Sequence, residues 1–132
     1  MIHNKKGFTL IELITTITII IIIIVIAIPT SLTIVEKGKQ KEYELIRDKI
    51  LVASEKYFYD NENDMITSIN INNIMDYIDI DEKYILNNKI MDPRSDSKNQ
   101  KCLNGTVNIS YNTLSYDKAT FTYVENESIS CN

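Results

Sequence analysis

Hydrophobic residues follow one another almost without interruption near the start of the chain. Residues 8–28 read FTLIELITTITIIIIIIVIAI, and Glu12 is the one ionisable residue among them. As a helix, this run spans about 31 Å, which is the thickness of the hydrocarbon core of a bilayer. A buried helix of a soluble protein is the alternative, but such helices are rarely apolar over this length. The run therefore predicts a membrane-spanning helix.

The segment in front of this run is short and basic. It contains Lys5 and Lys6, and positive flanking residues stay on the cytoplasmic side of a membrane. A secretory signal peptide also begins with basic residues, but its apolar region is shorter and ends at a small-x-small cleavage site. Here Ala27 is followed by Ile28 and Pro29. We therefore expect a single-pass chain with a cytoplasmic N-terminus and an external C-terminal part.

The residues at the start of the apolar run resemble the cleavage and methylation motif of type IV prepilins and type II secretion pseudopilins. Residues 5–13 read KKGFTLIEL, and the resemblance extends over roughly the first 29 residues. It implies that a membrane aspartic peptidase cuts between Gly7 and Phe8 and methylates the new N-terminal Phe8. It also implies that Glu12 acts in assembly and that Pro29 bends the helix.

The buried charge of Glu12 has a physical rationale of its own. A carboxylate inside a bilayer costs about 2.5–3.5 kcal/mol, so a partner should be sought. Cleavage would create one at the amino group of Phe8, which is four residues away on the same helix face. We hypothesise that Glu12 pairs with this amine on an adjacent subunit and so selects the stagger between helices. The alternative is that Glu12 lies near the membrane interface, where water solvates it and it serves only to orient the chain.

Beyond Pro29 the apolar residues recur at helical spacing. Pro29 lacks a backbone N–H and should kink or interrupt the helix. Apolar residues then occupy one face and charged residues the other, which predicts an amphipathic helix over residues 30–59. The apolar positions are Val35, Tyr43, Ile46, Ile50, Ala53 and Tyr57. A soluble helical hairpin tethered by an anchor would show the same pattern in this stretch.

The C-terminal half predicts a small head. A polar break at residues 60–64 (DNEND) ends the long helix, and apolar spacing predicts a short second helix over residues 71–78, capped by Asn70 or Asn72. Alternating residues predict two strands, 106–111 and 118–124, in an antiparallel hairpin. We therefore predict a pilin-like α+β fold, with a small antiparallel sheet against the long helix. Its parts are a leader (1–7), a membrane helix (8–28), an amphipathic half (29–60) and the head (61–132).

Cys102 and Cys131 are the two cysteines of the chain. In an external segment we expect them to pair. The bridge would close a loop of about 30 residues and stabilise the head by about 3–4 kcal/mol. Its placement resembles the disulfide-bounded C-terminal region of many type IV pilins. Free thiols are one alternative, and a metal site is another, which a mature chain without histidine makes less favourable.

Residues 92–99 (DPRSDSKN) predict a surface loop. Its acids, Asp92 and Asp96, together with Asp117, suggest a calcium site of the kind that some major pseudopilins carry. Calcium takes six to eight oxygen ligands, and these residues supply few of them. We therefore interpret them as ordinary solvated turn residues.

Charge and composition exclude several function classes. The net charge is −4, and removal of Lys5 and Lys6 leaves 12 basic against 18 acidic residues, or −6. Charge-driven binding of nucleic acid is therefore not expected. The single histidine, His3, lies in the presumed leader, and no phosphate-binding glycine loop or nucleophile–base pair can be assembled. We expect no enzyme activity, no cofactor and no metal.

The resemblance implies a structural subunit, major or minor, of a type IV pilus. Its expected partners are the membrane, prepilin peptidase, other pilin subunits, and the pilus assembly platform with its ATPase. It would lie in the cell membrane before assembly and in an extracellular surface filament afterwards. Two alternatives stay open: a pseudopilin of a type II secretion or DNA-uptake system, and a membrane-anchored extracellular binding module that does not polymerise.

Overall fold

The structure, a computed structural model, describes residues 7–61, 65–112 and 115–132. The leader residues Lys5 and Lys6 and most of the polar break therefore lie outside the described residues. The chain divides into two compact units, Met1–Lys37 and Gly38–Asn132.

One α-helix, α1, runs over Leu10–Asp60 and joins the two predicted helical stretches, although Phe8 and Thr9 of the first stretch precede it. It continues through Pro29, so of the two effects expected from this proline the interruption does not occur, while a kink there stays a prediction. Hydroxyl groups next to the proline donate to backbone carbonyls of the same helix. Thr30 Oγ1 and Ser31 Oγ donate to the carbonyl of Ala27 at 2.8 and 2.9 Å, and Thr33 Oγ1 donates to that of Pro29 at 3.1 Å.

In the first unit every described residue is exposed. The apolar side chains of residues 8–28 therefore have no packing partner among the residues of that unit that the structure describes. Among the described residues, α1 is the one helix long and apolar enough to cross a membrane. Because a continuous apolar surface of this size is unstable in water, it needs lipid or other apolar helices around it.

In the second unit the α1 side chains at helical spacing form one wall of the core. The buried members from α1 are Tyr43, Ile46, Ile50, Ala53, Ser54 and Phe58. A three-stranded antiparallel sheet in the order β1-β5-β6 supplies the opposite wall. Its strands are β1 (Ser68–Asn70), β5 (Gly105–Asn112) and β6 (Ser115–Glu125). Ile69 of β1 lies opposite Val107 of β5, and both are buried.

Two short antiparallel ladders complete the second unit. The first joins β2 (Ile85–Leu86) to β3 (Lys89–Ile90) through Asn87 and Asn88, whose positive φ angles of 51° and 58° form the tight turn. The second joins β4 (Lys101–Cys102) to β7 (Ile129–Ser130). The long N-terminal helix followed by small antiparallel sheets confirms the predicted pilin-like α+β fold.

Two local predictions differ from the structure. The second helix over residues 71–78 is wrong, because this segment forms a short 3₁₀ helix, Ile71–Ile74. Ile71 and Ile74 are three residues apart, which is the period of a 3₁₀ helix, so one turn buries both. Asn70 caps it, as predicted, by accepting a hydrogen bond from the amide of Asn72. The hairpin strands are longer than predicted, since pairing continues to Asn112 opposite Ser115.

Candidate functional site

The predicted cleavage point lies in exposed, non-helical backbone. Residues 7–9 precede α1 and are all exposed. A Cβ atom placed on Gly7 would meet nothing within 4 Å, and the ring of Phe8 is 86% exposed. Peptidases need access to extended, exposed backbone. The peptide bond between Gly7 and Phe8 therefore meets the geometric requirement for cleavage, and cleavage itself stays a prediction.

Thr9 and Glu12 cap the first turn of α1 reciprocally. The carboxylate oxygen Oε2 of Glu12 accepts hydrogen bonds from the backbone N–H of Thr9 at 2.9 Å and from its hydroxyl at 3.0 Å. The amide of Glu12 in turn donates to Thr9 Oγ1 at 3.3 Å. This arrangement is a capping box, in which each residue satisfies a backbone donor that the helix leaves unpaired. Thr9 was not singled out from the sequence, although its T-x-x-E pattern before an apolar run is the known signal.

The capping box changes the interpretation of Glu12 in the precursor. Its carboxylate lies at the positive end of the helix macrodipole and accepts two hydrogen bonds. The precursor thus holds the charge before any amine exists at Phe8. Removal of the leader would add a full positive charge one residue before Thr9. The pairing of Glu12 with that amine stays a prediction.

The hydroxyl groups in the apolar stretch bond within their own helix. Thr15 donates to the carbonyl of Ile11 at 2.6 Å, Thr16 to that of Leu13 at 2.8 Å and Thr18 to that of Ile14 at 2.8 Å. In lipid, polar groups must find partners inside the protein. These threonines are therefore compatible with a membrane span even though they are polar.

A second polar site lies in the head around Arg94. Its guanidinium donates from Nε and from one terminal nitrogen to the two carboxylate oxygens of Asp92, both at 2.9 Å. The same group forms an ion pair with Glu125 and lies over the ring of Tyr43, 3.6 Å from its centroid. The Tyr43 hydroxyl donates to Glu125 at 2.6 Å. This cluster, which we call the arginine clasp, joins α1, the 92–99 loop and the end of β6.

The clasp explains the pKa values of its members. Burial raises the pKa of the Asp92 carboxyl, but the hydrogen bonds from Arg94, the charge of Arg94 and the hydrogen bond from Ser128 together outweigh burial and leave this pKa below its ordinary value of 3.8. Burial, followed by the hydrogen bond to Glu125, raises the pKa of Tyr43 to about 12. Asp92 is 7% exposed, so its interpretation as a solvated turn residue is wrong. Arg94 at its side makes burial of the charge tolerable.

The structure joins Cys102 to Cys131 in a disulfide, with their Cα atoms 5.1 Å apart. Cys102 ends β4, and Cys131 follows directly after β7. The carbonyl of Cys131 also accepts a hydrogen bond from the side chain of Asn87 at 2.9 Å. The end of the chain is thereby held against two ladders of the head. Within the described residues, no group of three His, Cys, Asp or Glu side chains could hold a metal ion.

Comparison with known proteins bears on the N-terminal segment. The family described as "Prokaryotic N-terminal methylation motif" matches residues 2–28. The chain carries a prepilin-type cleavage and methylation signal. The match confirms the predicted resemblance over 27 of the 132 residues. No curated protein and no solved structure matches the chain.

The prepilin-type signal defines a general class of protein. It marks precursors of the type IV pilin and pseudopilin type, which are structural subunits rather than enzymes. It implies processing by a prepilin peptidase and assembly with other subunits of this type. Together with the apolar half of α1, it is consistent with membrane anchoring before assembly.

Proposed function

We propose that this chain is a structural subunit, major or minor, of a type IV pilus. Prepilin peptidase cuts between Gly7 and Phe8 and methylates the amine of Phe8, and the mature subunit then polymerises through α1. The observation that carries this proposal is the prepilin-type signal over residues 2–28. Residues 1–7 act as a cytoplasmic leader, 8–28 as membrane and filament helix, 29–60 as amphipathic half and 61–132 as head.

The described geometry supports both the processing and the transfer from membrane to filament. The bond to be cut is exposed and precedes the first helical turn. The apolar side chains of residues 8–28 can pack against lipid before assembly and against neighbouring helices afterwards. The disulfide between Cys102 and Cys131 closes the C-terminal region of a head that faces the oxidising exterior. The assembly platform and its ATPase are the partners that would drive this transfer.

Glu12 is the assembly residue in this proposal. In the precursor it bonds to Thr9. After cleavage, the amine of Phe8 on an adjacent subunit offers a full positive charge, and in low dielectric such a pair selects one stagger strongly. Pro29 allows α1 to bend where the apolar half ends.

The processing step is tested by mass spectrometry of the protein from cells with and without prepilin peptidase. We expect a chain that begins at N-methylated Phe8 in the first case and a chain that retains residues 1–7 in the second. A chain that keeps residues 1–7 in cells with an active peptidase would overturn the proposal.

The assembly step is tested by Glu12→Gln, which removes the charge but keeps the size of the side chain. Glu36→Gln is the matched control, because it removes an exposed acid from the same helix outside the apolar run. We expect Glu12→Gln to be processed but to form few surface fibres, and Glu36→Gln to form them normally. Normal fibres from Glu12→Gln would refute the role of Glu12 in assembly. If cells that make the native chain form no fibres, the proposal that the chain is a pilus subunit is refuted.

A further inference from the structure

Three large apolar side chains on α1 remain exposed in the second unit. Leu45, Val52 and Tyr59 are 59%, 50% and 36% exposed, respectively. They are seven residues apart, or about two helical turns, so they form one line along the helix. At 100° per residue, the buried Ile50 lies about 140° around the helix from Leu45. We call Leu45, Val52 and Tyr59 the apolar stripe, and it points away from the core of its own head.

Charged residues border the apolar stripe on both edges. On the helical wheel, the residues four positions before each stripe residue flank it on one side. The residues three positions before each stripe residue flank it on the other side. The first edge consists of Lys41, Asp48 and Glu55. The second edge consists of Glu42, Lys49 and Lys56. At each of the three levels, the two edges therefore carry opposite charges.

This pattern is complementary to itself in one arrangement. When two parallel helices face each other through the same stripe, the first edge of each meets the second edge of the other. When the two helices are in register, each first-edge residue of one copy lies next to the second-edge residue of the other copy that is one position later in the sequence. This gives three pairs of opposite charge on each side of the contact. A shift by one heptad brings Lys41 beside Lys49. An antiparallel pair brings Glu55 beside Asp48, so both alternatives contain repulsions.

We propose that the apolar stripe is the contact surface for a second copy of this chain in the membrane, before polymerisation, and that the two copies bind parallel and in register. The groove beside the stripe supports a side-to-side contact of this kind. It has a volume of about 490 Å³, and Val52, Lys56, Tyr59 and Tyr77 are among the residues that line it. The groove therefore has space for the Tyr59 side chain of the second copy next to Tyr59 of the first.

Two edge residues, Asp48 and Lys49, have partners inside their own chain, and Asp48 lies 3.8 Å from the guanidinium of Arg47. Lys49 Nζ lies 3.6 Å from a carboxylate oxygen of Asp79, which is almost fully exposed. Exposed ion pairs of this kind contribute little to stability. Lys49 can therefore exchange Asp79 for Asp48 of the second copy at small cost.

The stripe is about 21 Å long, which is short for an interface. The pair is accordingly weak in dilute solution and needs confinement to form. Membrane anchoring would supply this confinement and would place both copies parallel at one depth. The membrane confinement that strengthens the pair rests on the proposed function. The orientation and register of the two helices follow from residues 41–59 alone.

Oxidative cross-linking of the full chain in cell membranes tests the contact and its register. Val52→Cys should give a disulfide-linked dimer, while the control Arg47→Cys, at an exposed position about 140° around the helix from Val52, should give at least about tenfold less. Co-expression of Leu45→Cys with Val52→Cys should give no mixed dimer above the control. A mixed dimer as strong as the Val52→Cys homodimer would overturn the in-register arrangement, and equal yields from Val52→Cys and Arg47→Cys would overturn the contact.

Charge reversal tests the edges in the Val52→Cys background. Glu55→Lys or Lys56→Glu alone turns two attractive pairs into two repulsive ones and should lower the dimer yield about tenfold. Co-expression of the two variants restores opposite charges and should restore the mixed dimer. Failure of the mixture to recover would overturn the proposal. N-terminal mass spectrometry of the same samples reports leader removal independently, so a processed chain that does not cross-link refutes this inference while leaving the proposed function intact.

Discussion

Replacement of Arg94 by methionine should remove the cation that neutralises the arginine clasp. Methionine keeps an unbranched apolar stem of similar reach, so the change mainly removes two hydrogen bonds to Asp92, the ion pair with Glu125 and the contact over the Tyr43 ring. Loss of one partner from a buried ion pair costs 3–5 kcal/mol. Asp92 is 7% exposed but Arg94 is 33% exposed, so water reaches part of the site. We expect a loss of about 2–3 kcal/mol in the free energy of unfolding of the head.

The loss can be measured on the full chain in detergent micelles. Guanidinium unfolding followed by near-ultraviolet circular dichroism reports the packing of the head tyrosines and so separates the head from the apolar helix. Arg47→Met is the matched control, because Arg47 pairs with the exposed Asp48 at 3.8 Å and should cost less than about 0.5 kcal/mol. The double variant Asp92→Asn with Arg94→Met should recover part of the loss, since it removes the unpaired charge of the more deeply buried carboxylate and leaves only the partly exposed Glu125 without its cation. If Arg94→Met costs no more than Arg47→Met, the clasp does not stabilise the head.

Arg94→Met should also reverse the pH dependence that Asp92 contributes to the stability of the head. In the native head the pKa of Asp92 is lowered, so its contribution is complete above its ordinary pKa of 3.8 and is lost as the pH falls from there through the lower folded value. In Arg94→Met the amide of residue 94 and the hydroxyl of Ser128 still donate to Asp92, but we expect burial, the largest single effect on this carboxyl, to outweigh them and raise its pKa. The variant should therefore gain stability as the pH falls through the ordinary carboxyl range. Equal slopes in the two proteins below pH 5 would refute this account.

Four further predictions concern the disulfide, Gly38, Gly105 and Tyr43. Cys131→Ser should lower the free energy of unfolding by about 3–4 kcal/mol, and reduction of the native chain should have the same effect. Gly38→Ala should raise the free energy of unfolding by about 0.5–1 kcal/mol, because alanine favours the helix and its new Cβ in α1 meets nothing within 4 Å. Gly105→Ala should lower it by about 1–3 kcal/mol, because its Cβ would lie 2.5 Å from the carbonyl oxygen of Val124. The raised pKa of Tyr43, about 12, predicts a contribution to the free energy of unfolding that is present below pH 10 and lost between pH 10 and 12. Ultraviolet titration should show late-ionising phenols, which include Tyr43 and Tyr123, and Tyr43→Phe should remove one of them.

The N-terminal signal could be predicted from the sequence because every feature in it is local. Gly7, Phe8 and Glu12 lie within six residues at the head of an apolar run, and neighbours in sequence on a helix are neighbours in space. Thr9 could have been found in the same way, since capping depends only on a residue and the one three positions later. The same locality explains why the helix and the two strands of the hairpin were predicted correctly, with their ends off by a few residues.

The arginine clasp could not be predicted in this way. Tyr43 and Glu125 are 82 residues apart in the chain but share a hydrogen bond. The pattern around Tyr43 indicates that one face of α1 is buried, but it does not indicate which segment covers that face. The composition of the 92–99 loop suggested solvated acids, yet the fold buries Asp92, pairs it with Arg94 and brings Glu125 to the same guanidinium.

The division between the two kinds of information has a physical basis. Hydrophobic periodicity, capping patterns and a processing signal depend on residues a few positions apart, so the sequence by itself determined the apolar and amphipathic stretches of α1 and the candidate cleavage point. The partners of a buried charge depend on which distant segments pack together, and that choice is made by the whole core at once. Only the tertiary structure therefore decided that Arg94 neutralises Asp92, that a 3₁₀ turn follows β1, and that Leu45, Val52 and Tyr59 remain uncovered.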